Sequence, residues 1–278
     1  MSQGINRDLL PPLTLVDQVP IDEIVADIAE KAALENAAPS DPSYRSALAY
    51  AYREMYVRQD ANEQAKGVML AFAKGPQLDH IGSTYYRTPL GDPVVRLDGE
   101  SDTSYKIRLQ LSPEGYSVAG PTGAYQFFGL SADSDIRFVE PISPSPAVMS
   151  LYLLTYSNDG VASDELCRKV ENYVWPYRPM GDRVTAYSAE LIRYTVTAEL
   201  LVEKGADLAA IKQRALEEAA VYTLNENKFG GYVSDSGLKD AMTVGNVKKV
   251  NLTNWTDKVA EAHQVPLCNG ITITVREV

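Results

Sequence analysis

Behind Pro20, the residues Ile21, Ile24, Val25, Ile28 and Ala32 recur at helical spacing, with Asp22 and Glu23 in the first turn, and predict a first helix. Ala37-Ala38-Pro39-Ser40 interrupts the pattern. Asp41 then suits an N-cap with Pro42 at the first helical position. From there to Lys74 the one helix-weakening residue is Gly67, so a single helix on the order of 48 Å is expected, ended by Gly75-Pro76.

Along that helix Leu48, Met55, Asn62 and Met69 fall seven residues apart, beside a line of Tyr44, Ala51, Arg58, Ala65 and Phe72. A second apolar flank carries Ala47, Tyr50, Val57, Ala61 and Val68. A helix apolar on two flanks needs more than one neighbour, and the shorter first helix covers just part of it. Tyr44, Tyr50, Leu48, Ala51, Met55, Val57, Asn62, Met69 and Phe72 are therefore the candidate partner-binding residues, with Asn62 as a polar residue that fixes register in the seam.

Asp79 to Gly99 reads as a loop-rich connector. Ser101 caps a short helix carrying Tyr105, Ile107 and Leu111, and Pro121 opens another over Thr122 to Ser131. Strands are expected at Ile136–Val139 and Val148–Tyr156 around a proline-rich stretch, then a turn at Asn158-Asp159-Gly160 and a helix capped by Ser163. Val184–Tyr187 is the next strand. From Ile192 to Val202 apolar and polar residues alternate strictly, the mark of a strand with one wet face. Asp207 caps a helix, a short one runs from Ser236 to Met242, and strands at Val247–Leu252 and Ile271–Val275 close the chain. The fold class is α+β: long N-terminal helices followed by two small α+β units, with parts at residues 1–99, 100–188 and 189–278.

The 278 residues are 45% hydrophobic and 23% charged, an ordinary globular balance. Lys and Arg number 26 against 37 Asp and Glu, a net charge of −11. With no basic patch to overrule it, that charge argues against nucleic acid and against an anionic membrane surface as partners. No run approaches a membrane span, and residues 1–20 hold no apolar stretch long enough for a signal peptide. Two distant cysteines, Cys167 and Cys268, point to a reducing compartment and supply neither a zinc knuckle nor a redox pair. Asn251-Leu252-Thr253 and Asn254-Trp255-Thr256 match the glycosylation pattern without a secretion signal to give it meaning. Tyr outnumbers Phe 17 to 5, a bias that suits surfaces wet before assembly and buried after it.

Catalytic constellations are not found. The two histidines, His80 and His263, sit in surface-like contexts, and neither a zinc-protease nor a phosphate-binding signature is present. Gly115-Tyr116-Ser117-Val118-Ala119-Gly120 misses the nucleophile-elbow spacing by one residue and runs into Pro121. The acids of Asp98-Gly99-Glu100-Ser101-Asp102 lack calcium-loop spacing and suit turn-making and capping. Asp133 and Asp135 are too few for a metal, and Gly230-Gly231 near Lys228 reads as a turn. No catalytic residue, cofactor site or metal site is nominated.

Four ordered blocks carry a family resemblance. Gly75-Pro76-Gln77-Leu78-Asp79-His80-Ile81-Gly82 after a long helix, then Val94-Val95-Arg96, resembles the helix exit of baseplate J-like proteins from contractile-tailed phages and related injection machines. Glu100-Ser101-Asp102 with Tyr105 and Arg108 is similar to their next block. Ala119-Gly120-Pro121, Gly123-Ala124-Tyr125 and Ala132-Asp133 resemble the third, and Arg178-Pro179 with Asp182 and Val184 the fourth. Gly129 and Met180 are mild departures, and the last third matches in layout alone. The motif residues given a structural role are Leu78, Gly82, Arg96, Glu100, Asp102, Arg108, Gly120, Pro121, Tyr125, Arg178, Pro179 and Asp182. Arg108 and Arg178 would hold carbonyls or carboxylates between layers.

The resemblance implies a non-enzymatic wedge subunit of the tail baseplate, assembled in the host cytoplasm. Its partners would be other baseplate wedge proteins and further copies of itself, joined through the N-terminal helices and closing a ring around the tail hub. Two other classes are weighed beside it: a glycan-acting hydrolase using a carboxylate pair, and a soluble adaptor on the same scaffold.

Overall fold

The computed structural model describes residues 10–11, 14–34 and 36–278, and the fold is α+β. The expectation of a leader-free N-terminus therefore lies largely outside the described residues. The chain divides into two compact units, Met1–Pro113 and Glu114–Val278.

In the first unit, α1 (Ile21–Lys31) packs along α2 (Pro42–Gly67). Ile24 and Val25 of α1 bury against Ala51, with Tyr44, Leu48 and Met55 half-buried around them. The small side chains of Ala47 and Ala51 let the two helices approach closely. Asp41 caps α2 by accepting the Ser43 N–H.

The long helix ends earlier than its sequence suggests. It stops at Gly67, the chain turns through residues 68–72, and Gly75 opens a new helix, α3 (Gly75–Tyr85), in place of ending the old one. At this corner Gly67 faces the side chain of Gln77, whose Cδ would lie 2.5 Å from any Cβ there. At the same corner the Asp102 carboxylate accepts the Gly75 N–H at 3.1 Å. The first third of the expected connector is thus helix, and Met69 and Phe72 lie beyond the end of α2.

Helix α4 (Asp102–Leu111), capped by Ser101, completes the first unit. The sequence places a boundary at 99/100, whereas the compact units part at 113/114. Glu100 and the side chains of α4 are bonded into the segment before them, which carries the helix with it.

The second unit opens with α5 (Thr122–Ala132), buried on nearly every side. It covers a three-stranded sheet of β1 (Ile136–Ser145), β2 (Val148–Thr155) and β3 (Arg183–Ser188), with β1 antiparallel and β3 parallel to β2. Helix α6 (Asp164–Val174), capped by Ser163, makes the crossover. Strand β1 runs on through Pro141, past the expected end at Val139; it lies at the sheet edge, where a missing N–H is tolerated.

The alternating segment is β4 (Glu190–Val202), the centre of a second sheet between antiparallel β6 (Val247–Leu252) and parallel β8 (Gln264–Glu277). Helices α7 (Leu208–Asn225) and α8 (Asp235–Met242) pack on it. Val196, Ala198, Leu200 and Val202 meet Ala215, Ala219, Leu238, Met242 and Ile273 in one core. A two-stranded ribbon, β5 (Tyr232–Val233) with β7 (Lys258–Val259), was not foreseen. Leu154, Ala189, Phe229 and Val265 form a smaller core that joins the two sheets of this unit.

Candidate interaction surface

The motif residues of the first unit form one bonded cluster. Leu78 is wholly buried, and Gly82 sits where α3 meets the Tyr105 ring, whose hydroxyl donates to the Val94 carbonyl at 2.7 Å. Arg108 grips Glu100 through Nε (2.8 Å) and Nη2 (2.6 Å), and Nη2 also reaches the Val95 carbonyl at 2.6 Å. The same Glu100 accepts the Leu97 N–H at 2.9 Å. Arg96 bonds Asp79 at 2.6 Å, pairs with Asp102 at 2.8 Å and donates to the Glu100 carbonyl at 3.1 Å. Both guanidinium groups lie against the Tyr105 ring, 4.8 and 5.2 Å from its centre. Burial works against the charged form of Asp102, but the Gly75 N–H and Arg96 outweigh it and hold the carboxyl below its usual range.

The third and fourth blocks meet in the second unit. Gly120 has φ +66°, a region that suits glycine, and the Pro179 ring lies against it, with Cγ 2.7 Å from where a Cβ would be. Pro121 follows as the N-cap of α5. The buried Tyr125 of α5 donates its hydroxyl to Asp182 at 2.6 Å. Burial and this bond both push the Tyr125 phenol well above its ordinary pKa. Arg178 donates to the Trp175 carbonyl at 3.2 Å and stacks on the Trp175 ring at 3.5 Å, so it holds a carbonyl and an indole and, among the described residues, no carboxylate.

The partner-binding list divides in two. Ala51 is fully buried against α1, and Tyr44, Leu48 and Met55 pack on the same helix. Asn62 is buried and spends its amide within the chain: Oδ1 accepts the N–H groups of Leu15 (2.9 Å) and Val16 (3.0 Å), and Nδ2 donates to the Val16 carbonyl (2.8 Å). Its expected role as a register residue for another chain is corrected to an anchor for the segment before α1. Within the chain the seam is covered in part: Ala51 and Asn62 are buried, while Tyr44, Leu48 and Met55 stay half-buried. Past the buried Ala47 the second flank is open: Tyr50 is 70% exposed and Val57 55%, with Val68, just beyond the end of α2, 77% exposed. Tyr56 is 59% exposed as well, but it points about 100° around the helix from Val57 and belongs to a different face. Met69 and Phe72 are half-buried in the turn after α2 and belong to neither face.

The residues set aside as non-catalytic are held in local bonds. His80 lies within hydrogen-bond reach of Thr84, and His263 lies between Glu190 (3.2 Å) and Glu261 (3.7 Å). Asp133 takes Lys169 at 2.6 Å, and Asp135 holds Ser157. Among the described residues no group of three or more His, Cys, Asp or Glu is arranged to hold a metal, and no helix is long and apolar enough to cross a membrane.

Residues 39–89 match the Baseplate J-like N-terminal domain and residues 194–274 the Baseplate J-like protein C-terminal domain. Baseplate protein J of Escherichia phage P2 is 34% identical over 289 aligned residues, spanning 95% of each chain. A chain of the six-fold symmetrised cryo-EM structure of the anti-feeding prophage baseplate aligns with a TM-score of 0.43 and 16% identity, over 64% of this chain and 42% of that one. With its two ends matching the family's two domains and a relative at this identity along almost its full length, the chain belongs to the baseplate J-like family.

Proposed function

We propose that this protein is a structural wedge subunit in the baseplate of a contractile phage tail, or of a related injection machine. It would be built into the tail in the host cytoplasm and contribute to the ring around the hub. Other wedge proteins and further copies of the chain are its partners.

One observation carries the reading. Helix α2 packs on α1, yet Tyr50 and Val57 stay exposed along one flank, with Val68 exposed just past its end. Tyrosine is suited to such a face, because its ring is apolar and its hydroxyl is content in water before assembly. Contiguous apolar residues on the surface of a soluble chain mark sites of association. The bonded clusters around Tyr105 and Tyr125 fit a part that bears load, since they stiffen each unit without organising a reactive centre.

The test is light scattering of the pure chain and of the chain with the products of neighbouring tail genes. Wild type is expected to associate, and Tyr50→Asp with Val57→Asp to prevent it. Stability should hold within about 0.5 kcal/mol, the usual range for surface changes. A chain that stays monomeric with every tail protein would overturn the reading. So would turnover of cell-wall polymer abolished by one Asp or Glu substitution.

A further inference from the structure

The second unit carries a cationic pocket that the assembly reading does not use. Strand β1 is irregular at its start: Ile136 pairs with Thr155 and Phe138 with Leu154, so Arg137 is an extra residue with no partner across the ladder. A bulge of this kind re-aims the side chain it carries. Here it delivers Arg137 to a cleft of about 400 Å³ lined by Thr155, Tyr156, Asp159, Gly160, Leu224, Asn227 and Leu267.

The guanidinium is half-buried and held in place. Its Nη1 donates to Asn227 Oδ1 at 2.6 Å, and its carbon lies 5.0 Å from the centre of the Phe138 ring. Asn227 is itself buried and pinned, its Nδ2 bonded to the Pro266 carbonyl at 2.9 Å. No carboxylate of the described residues pairs with Arg137. The nearby acids are committed elsewhere: Asp135 to Ser157, Asp159 to Arg193, and Glu226 to Lys228 and the Tyr232 N–H. Burial lowers its pKa, as expected for a cation lacking a counter-charge. Most of its five donors remain to be used, and they form the planar fork that matches a carboxylate.

We infer that the Arg137 cleft receives the carboxylate side chain of a glutamate or aspartate from another protein chain. The pinned guanidinium would take the two oxygens, while Leu224 and Leu267 would cover the methylene groups behind them. These apolar walls favour a side chain over a bare anion. This site is separate from the exposed face of α2, so either proposal can fail without the other.

Calorimetric titration of the full chain with N-acetylglutamate amide, N-acetylglutamine amide and inorganic phosphate tests it. The glutamate derivative is expected to bind, and the isosteric glutamine derivative to bind roughly tenfold more weakly or not at all, since a charge-assisted bond is lost. Arg137→Gln should remove the preference and Arg137→Lys retain part of it, while the exposed Arg183→Gln leaves it unchanged. Equal binding of the two derivatives, or an unchanged preference in a folded Arg137→Gln protein, would overturn the inference. Phosphate binding more tightly than the glutamate derivative would overturn the carboxylate assignment. Should Arg137→Gln fail to fold, Leu224→Glu places a rival acid on the exposed wall of the cleft. It is expected to abolish binding of the glutamate derivative, and unaltered binding counts against the site.

Discussion

Arg108 and Glu100 form a two-pronged ion pair, 2.8 and 2.6 Å, with side chains only 3–4% exposed. A pair so far from water is held against a large desolvation cost, and its contribution shows most clearly when one member is removed. Arg108→Met leaves the Glu100 carboxylate buried with only the Leu97 N–H, and is expected to cost about 3–5 kcal/mol. Adding Glu100→Leu should recover much of that loss, since a well-packed apolar pair replaces a buried ionic one at little cost. Denaturant unfolding of the two single variants and the double variant measures the coupling. Additive losses would show that the two side chains act independently.

Gly82 lies in the interior of α3, where alanine would ordinarily favour the helix by about 1 kcal/mol. The sign should reverse here. A Cβ at this position would lie 2.6 Å from the Tyr105 Cζ and 3.0 Å from the Val94 carbonyl, within the bond that ties α4 to the connector. Gly82→Ala is expected to destabilise by about 1–3 kcal/mol, the range for overpacking a filled core. Thermal unfolding of Gly82→Ala and Gly82→Leu checks it, the larger side chain costing more.

Much of the architecture is legible because its signals are local. Ser101, Ser163 and Asp207 announce helix starts through short side chains that bond amides two or three residues on. The alternation of β4 reports one buried face directly. What was not legible depends on residues distant in the chain. Helix α2 stops at Gly67, where Gln77 packs against it, and Asn62 is an internal anchor because Val16, 46 residues earlier, lies against it. A heptad pattern states that a face is apolar; it does not state whose side chains cover it. The partner of Arg108 is likewise a matter of tertiary placement, since Glu100 and Asp102 are both acids at the start of the same helix. The bulge that turns Arg137 into its cleft leaves no mark in composition or periodicity.

Since Met55 packs on α1 and Asn62 bonds within the chain, substitutions at these two positions should act on folding. Asn62→Ala removes the acceptor of two backbone amides and the donor to one carbonyl, and is expected to cost about 1–3 kcal/mol. The segment before α1 should become more sensitive to protease. Met55→Asp should lower the melting temperature in the same way, because it puts a charge against Ile24 and Val25. Loss of partner association with unchanged unfolding in either variant would return the seam to an intermolecular role.

Asp102 makes the first unit sensitive to acid. Burial opposes its charge, but the Gly75 N–H and Arg96 prevail, so its folded pKa lies below the unfolded value of about 3.9. A depressed carboxyl stabilises the fold above the unfolded pKa, and that stability is lost as pH falls through the folded value. Asp102→Asn should therefore weaken the protein at neutral pH and flatten the acid limb of its stability profile. Parallel acid limbs in wild type and variant would show that the Gly75 and Arg96 bonds contribute nothing.

The Tyr125–Asp182 bond gives the opposite limb. Burial, then the hydrogen bond to Asp182, raise the folded pKa of the phenol above the unfolded value of about 10. A raised pKa means that the folded state holds the proton more tightly. Its stabilisation is complete below the unfolded value and is lost as pH rises from there through the folded one. Tyr125→Phe keeps the ring in the core and removes the hydroxyl from Asp182, at an expected cost of about 1.5–3 kcal/mol for a bond to a charged acceptor. It also removes the titrating group, so the variant should lose less stability than wild type between neutral and strongly alkaline pH. Asp182→Asn is the companion test: it retains a polar acceptor, should cost less than Tyr125→Phe at neutral pH, and should leave a softened alkaline limb. Both features are read from denaturant midpoints across the pH range. A Tyr125→Phe limb as steep as that of wild type would show that another tyrosine governs alkaline unfolding.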